Sequence, residues 1–212
     1  MKRKVIVAVS AFCLLFAAAA HAENAAGQFS AEIYGGAGVG APTGSYPGAS
    51  SNADTVFNFG ALCGYTVIDN LALIGGVEYA SKPMVLKYSL DSEKDTFKLH
   101  YYDFLLGARY FATDGFYFEG GLFYGLKAGD QKAKWSGDSG SGEIKISDIE
   151  GAENNNDFGF FLGLGYVAKI SQHFALDFGC RLESGLVNVY KNADTKIRTN
   201  DIVLNAGAQY IF

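Results

Sequence analysis

The constraint that governs this chain is an alternation. In eight separate stretches apolar residues recur at every second position, the spacing at which an extended strand sends side chains to opposite faces. The stretches run from Phe29 to Ala41, Thr55 to Val67, Leu71 to Ala80, Phe97 to Phe111, Phe116 to Lys127, Asp157 to Ile170, Phe174 to Leu186 and Asn200 to Phe212. Each has at least ten residues, and about nine to eleven suffice for a tilted strand to cross a bilayer. All three prolines, Pro42, Pro47 and Pro83, fall between the stretches, as expected of a residue with no N–H for a ladder.

Splitting each stretch by parity shows what kind of sheet this is. One face carries Phe29, Ala31, Ile33, Gly35, Ala37 and Val39 in the first stretch, and Phe158, Phe160, Leu162, Leu164, Tyr166, Ala168 and Ile170 in the sixth. From Tyr102 onward in the fourth stretch and throughout the other seven, this face has no charged residue, where the chain-wide 18% would place about nine. The opposite face holds Glu32, Glu78, Asp103, Arg109, Glu119, Lys127, Asp157, Lys169, Asp177, Arg181, Glu183 and Asp201, with more than half of the glycines. A soluble barrel of eight strands would put its apolar set inside and its charges outside. Here the apolar set is too uniformly large and aromatic for so narrow an interior, whereas the glycine-rich charged set suits a crowded one. Apolar outward and charged inward means that the outer solvent is lipid. The expected fold is therefore all-β: an eight-stranded antiparallel up-and-down transmembrane barrel, closed so that every backbone group is satisfied within lipid.

The connections agree. They alternate between short (Ile68 to Asn70, Ala112 to Gly115, Ser171 to His173) and long (Pro42 to Asp54, Ser81 to Thr96, Ala128 to Asn156, Val187 to Thr199). All turns then lie at one end and all loops at the other, the asymmetry of periplasmic turns and extracellular loops. Outward aromatics cluster as two girdles: Tyr65, Tyr110, Phe116, Phe174, Tyr210 and Phe212 at one end, and Phe57, Tyr79, Tyr102, Tyr124 and Phe158 at the other.

At the N-terminus Lys2, Arg3 and Lys4 precede an apolar run from Val5 to Ala20, and Ala20-His21-Ala22 supplies small residues for cleavage. Residues 1–22 read as a secretory signal and 23–212 as the barrel domain. No later stretch reaches the length of an apolar helical span. Acidic residues outnumber basic ones 22 to 17, so nucleic acid is not an expected partner. Cys63 and Cys180 lie on the outward face of the second and seventh stretches, which strands eight and one separate in a closed barrel, so free thiols facing lipid are expected.

The chain resembles the small eight-stranded outer-membrane barrels of the OmpX and OmpA transmembrane type. The resemblance spans Glu23 to Phe212 as a pattern, with one sharp motif, Tyr210-Ile211-Phe212. In that family a terminal aromatic carboxylate is read by the assembly machinery, so the resemblance makes Tyr210 and Phe212 an assembly signal. The segment Tyr101 to Tyr110 also looks like the fourth strand of the outer membrane protein beta-barrel group. No peptidoglycan-binding domain follows, so an OmpA-like cell-wall anchor is not expected.

Two groups of residues are candidates for function. The inward charges Glu32, Glu78, Asp103, Arg109, Glu119, Lys127, Lys169, Asp177, Arg181 and Glu183 form either a salt-bridged structural core or a narrow hydrophilic path for ions or small solutes. Eight strands enclose room for side chains only, which favours the core. The second group lies in the loop from Ala128 to Asn156, where Lys132, Lys134 and Trp135 face Glu143, Ile144, Lys145 and Ile146 across a Gly/Ser-rich turn. This reads as a hairpin rising beyond the membrane, either a strand edge that recognises a surface partner or a solvated loop. His100 has the outward parity of the catalytic histidine in lipid A deacylases of this fold, but the serine expected two residues on is Tyr102. His173 reads as a turn residue, and Gly35 to Gly40 as strand glycine. No metal-ligand spacing or phosphate loop is present, so neither metal nor cofactor is expected. The expected partners are outer-membrane lipid, the assembly machinery and a host or surface ligand. The expected role is non-enzymatic, structural or recognitional, with a porin-like channel as the alternative and a lipid-modifying enzyme behind it.

Overall fold

The computed structural model describes residues 26–45, 49–88, 94–129, 132–137, 140–145, 156–189 and 196–212. The expected leader, Ile146, and the acidic residues Asp148, Glu150 and Glu153 lie outside them. The described residues form thirteen strands and no helix: β1 (Phe29–Gly40), β2 (Thr43–Ser45), β3 (Ala49–Asn52), β4 (Asp54–Ile68), β5 (Leu71–Tyr88), β6 (Lys94–Phe111), β7 (Phe116–Lys127), β8 (Lys132–Gly137), β9 (Gly140–Lys145), β10 (Asn156–Lys169), β11 (Phe174–Gly185), β12 (Lys196–Arg198) and β13 (Asn200–Ile211). Eight of them, β1, β4, β5, β6, β7, β10, β11 and β13, pair antiparallel with their neighbours in the chain, and β13 returns to β1 from Ser30 opposite Ile211 to Gly40 opposite Asp201. The barrel is closed, and its strands are the eight alternating stretches.

Strands β5 and β6 run on past the barrel. Their pairing continues to Lys87 opposite Lys94, so most of the stretch expected as a loop from Ser81 to Thr96 is strand. Pro83 is therefore inside β5 and not between strands. It is tolerated because β5 is between partners there: β4 stops at Ser81, and β3 takes up pairing only at Val85. β6 likewise exchanges β7, which ends at Tyr101 opposite Lys127, for β8, which begins at Lys98 opposite Lys132. The hairpin β8–β9 thus continues the barrel wall upward, and a separate ladder joins β12 to β2.

The parity rule holds along the barrel portion of every long strand and lapses in β5 above it, where Ala80, Ser81, Lys82 and Pro83 are all buried. Ile33, Leu106 and Leu204 are 69%, 71% and 66% exposed on the outer face, an arrangement that only an apolar solvent makes favourable. The girdles contain ring pairs, Phe29 with Tyr65 at 4.6 Å and Tyr210 with Phe212 at 5.0 Å at the turn end, and Phe59 with Tyr79 at 5.1 Å at the loop end. Inside, Tyr34, Leu62, Ile74, Leu105, Phe123 and Phe161 pack together at mid-height. Phe161 fits because Gly107 and Gly121 face it. A Cβ at either position would approach its ring to 2.8 Å. Cys63 and Cys180 are free, on β4 and β11, with β1 and β13 between them.

Candidate functional site

The inward charged residues meet in one buried column, in which two layers differ in composition. Near the turn end, Arg109 on β6 stands opposite Glu119 on β7 in register and donates to its Oε2 from Nε and Nη2 at 3.2 and 3.0 Å. Its Nη1 reaches across the barrel to Asp177 on β11 at 2.7 Å and Glu32 on β1 at 3.4 Å. Tyr117 lies under the guanidinium, with ring centroid and Cζ 4.0 Å apart, and donates its hydroxyl to Asp177 Oδ1 at 2.7 Å. Above it, Arg181 on β11 donates Nε to the other Glu119 oxygen at 2.9 Å, and Nη1 to Glu78 on the diametrically placed β5 at 3.3 Å. Glu119 therefore serves one oxygen to each arginine. Glu78 Oε2 also accepts from Tyr34 and from Asn58 Nδ2.

Toward the loop end the cation is Lys82, whose Nζ lies 2.7 Å from Asp103, 3.2 Å from Asp157 and 4.0 Å from Glu183. It sits 4.0 Å from the centroid of Phe123, whose ring face adds cation–π attraction. Thr199 donates to Asp157 Oδ2 at 2.8 Å, and Asp201 stands opposite Glu183 in register. Eight carboxylates and three cations, Lys82, Arg109 and Arg181, are buried among the described residues. Burying charge in a low dielectric is costly unless each group is paired, so these cross-barrel contacts tie distant strands together.

Of the residues nominated from the sequence, Glu32, Glu78, Asp103, Arg109, Glu119, Asp177, Arg181 and Glu183 come together. Lys127, at the loop end, and Lys169, at the turn end, are half-buried and outside this buried set. Lys82 was not nominated, because Pro83 beside it reads as a loop signal. Asp157 and Asp201 were on the inward face but not in the nominated network, and Tyr34, Tyr117 and Asn58 carry no charge to attract notice. Parity alone would have found all five.

Lys132, Lys134 and Trp135 lie on β8, and Glu143, Ile144 and Lys145 on β9, with Lys134 and Glu143 ion-paired at 3.0 Å on the exposed surface. Ile146 is outside the described residues. His100 stacks on Tyr79 at 5.6 Å in the upper girdle. His173 does more than fill a turn: its Nδ1 is 2.9 Å from the carbonyl of Ile211, and its ring stacks on Tyr210 at 5.8 Å. Phe212 N donates to Phe29 O at 2.9 Å, so the last strand is fastened to the first.

A closed antiparallel cylinder, greasy outside and ionic within, defines an integral β-barrel membrane protein. The chain belongs to the outer membrane protein beta-barrel family, whose profile matches residues 10–212. It is an integral protein of the bacterial outer membrane. Among solved structures it is similar to OprG of Pseudomonas aeruginosa, at 17% identity over 89% of this chain and 97% of that one, with a TM-score of 0.51. It is also similar to Ail, the attachment invasion locus protein of Yersinia pestis, at 18% identity over 88% and 99%, with a TM-score of 0.44. Neisserial surface protein A is similar at 17% identity over 87% and 97%, with a TM-score of 0.44. Likeness at these identities concerns the fold alone. Comparison with curated protein sequences gives no match.

Proposed function

We propose that the protein is a non-enzymatic surface-recognition barrel, in which the ionic column makes the cylinder rigid and the sheet above the membrane receives a partner polypeptide. The observation that carries this reading is the continuation of the wall through β6, β8 and β9. Strand β9 pairs with β8 alone among the described strands and is the edge of the described sheet. Such an edge accepts an added strand from a partner, with main-chain bonds giving affinity. The barrel supports the same reading: Arg181 to Glu78 spans its diameter, and Arg109 reaches three strands, which obstructs a path for solutes.

Deleting Lys132 to Lys145 tests it. The protein should still show heat-modifiable gel mobility, the mark of a folded barrel, while whole cells lose binding to host-cell surfaces. Unchanged binding would remove the recognition role. Steady single-channel steps in planar bilayers, abolished by Arg181→Ala, would replace it with the channel reading.

A further inference from the structure

The loop-end half of the column holds more negative charge than its cations can meet. Glu78 on β5 and Asp103 on β6 are direct cross-strand partners, as are Glu183 on β11 and Asp201 on β13. Like charges placed directly opposite destabilise a sheet unless something lies between them. With Asp157, these are five buried carboxylates in the half that holds Lys82; Asp103, Asp157 and Glu183 lie within 4.0 Å of its ammonium, and Glu78 pairs with Arg181 from below.

Three of the five converge. Single carboxylate oxygens of Glu78, Asp103 and Glu183 lie within 4.8 Å of one another, and these residues are 1%, 0% and 3% exposed. Glu78 and Asp103 each use one oxygen on a cation and leave the other, while Glu183 is shared at longer range between Lys82 and Arg181. Glu78 Oε2 takes Arg181, Tyr34 and Asn58, Asp103 Oδ2 takes Lys82, and Glu183 Oε2 faces Lys82. Glu78 Oε1 and Asp103 Oδ1 are buried and meet no hydrogen-bond donor, and Glu183 Oε1 has only the Arg181 guanidinium, 3.9 Å away. Donor-free buried oxygens in a low dielectric call for a positive charge.

One divalent cation holds its carboxylate oxygens up to roughly 5 Å apart across itself, a condition these three residues meet. We propose that Glu78, Asp103 and Glu183 bind one divalent cation inside the barrel as a structural ion, with Ca2+ as its probe. Lys82 keeps Asp103 Oδ2 and Asp157, so the ion adds to the ion pairs and displaces none. The ligands come from three strands, which is why no ligand spacing is visible along the chain.

The test uses the full mature chain, folded in detergent and stripped with chelator. Added Ca2+ should raise the temperature at which the folded gel band disappears by roughly 5–10 °C at a hundredfold excess over Kd. Mn2+ as a paramagnetic probe should bind with one equivalent at this site. Glu183→Gln and Glu78→Gln should abolish the Ca2+ shift, while Glu32→Gln, in the other half, should retain it. If the glutamine variants fail to fold, Mn2+ relaxation of the Tyr101 and Phe123 ring signals in the unaltered protein locates the ion. No Ca2+ shift, or a shift that persists in both glutamine variants, overturns the proposal. Stabilisation by acid alone, with no metal bound, would mean that protons neutralise the cluster, and would overturn it equally.

Discussion

The two halves of the barrel interior share one cylinder and differ in their ionic accounts. At the turn end, three carboxylates, Glu32, Glu119 and Asp177, surround Arg109, and Arg181 holds Glu119 from above, so guanidinium donors, Tyr117 and the carboxylate oxygens interlock. At the loop end, three carboxylates, Asp103, Asp157 and Glu183, share one ammonium group, with Glu78 and Asp201 buried in the same half. The difference teaches that a polar interior is not one environment. Arginine's fork of donors holds several carboxylates in fixed directions, whereas lysine is a point charge that leaves oxygens over.

Substitutions in each half should therefore act differently, and stability in urea, measured on the lipid- or detergent-folded protein, reads them. Arg109→Met should cost about 3–5 kcal/mol, because three buried carboxylates lose their shared partner; a loss below 1 kcal/mol would erase the distinction between the halves. Tyr117→Phe, which takes the hydroxyl from Asp177, should cost about 1.5–3 kcal/mol, as for a hydrogen bond to a charged group. The sign should reverse at the loop end. Asp201→Asn, measured in chelator, should stabilise by about 0.2–1 kcal/mol, since it relieves the like pair with Glu183; a destabilisation there would show that half to be balanced after all. Outside the barrel, Lys134→Ala breaks only the exposed pair with Glu143 and should stay within about 0.5 kcal/mol.

The barrel itself was legible because the period-two signal is local: each residue's parity states its solvent, and Ile33 or Leu106 needs no partner to declare itself. The hairpin β8–β9 was legible for the same reason, two alternating runs about a Gly/Ser turn. The site was legible only as a set of inward positions. Which charges meet depends on the stagger of strands around the cylinder, and Arg181 with Glu78, or Arg109 with Glu32, are far apart in the chain. Lys82 was hidden by a conflict of local signals, since Pro83 argues against a strand and the exchange of β4 for β3 beside it cannot be read from the sequence. Strands β2, β3 and β12 are three or four residues long, too short for any period to show.

The fastening of β13 to β1 imposes an order of events. Each of the other barrel seams joins strands consecutive among the eight, but this one joins the first to the last, with Phe212 N bonded to Phe29 O and His173 bracing Ile211. Without its final dozen residues the sheet would be a ribbon with two bare margins, on β1 and β11, so the circle can be drawn shut only once the whole polypeptide is present.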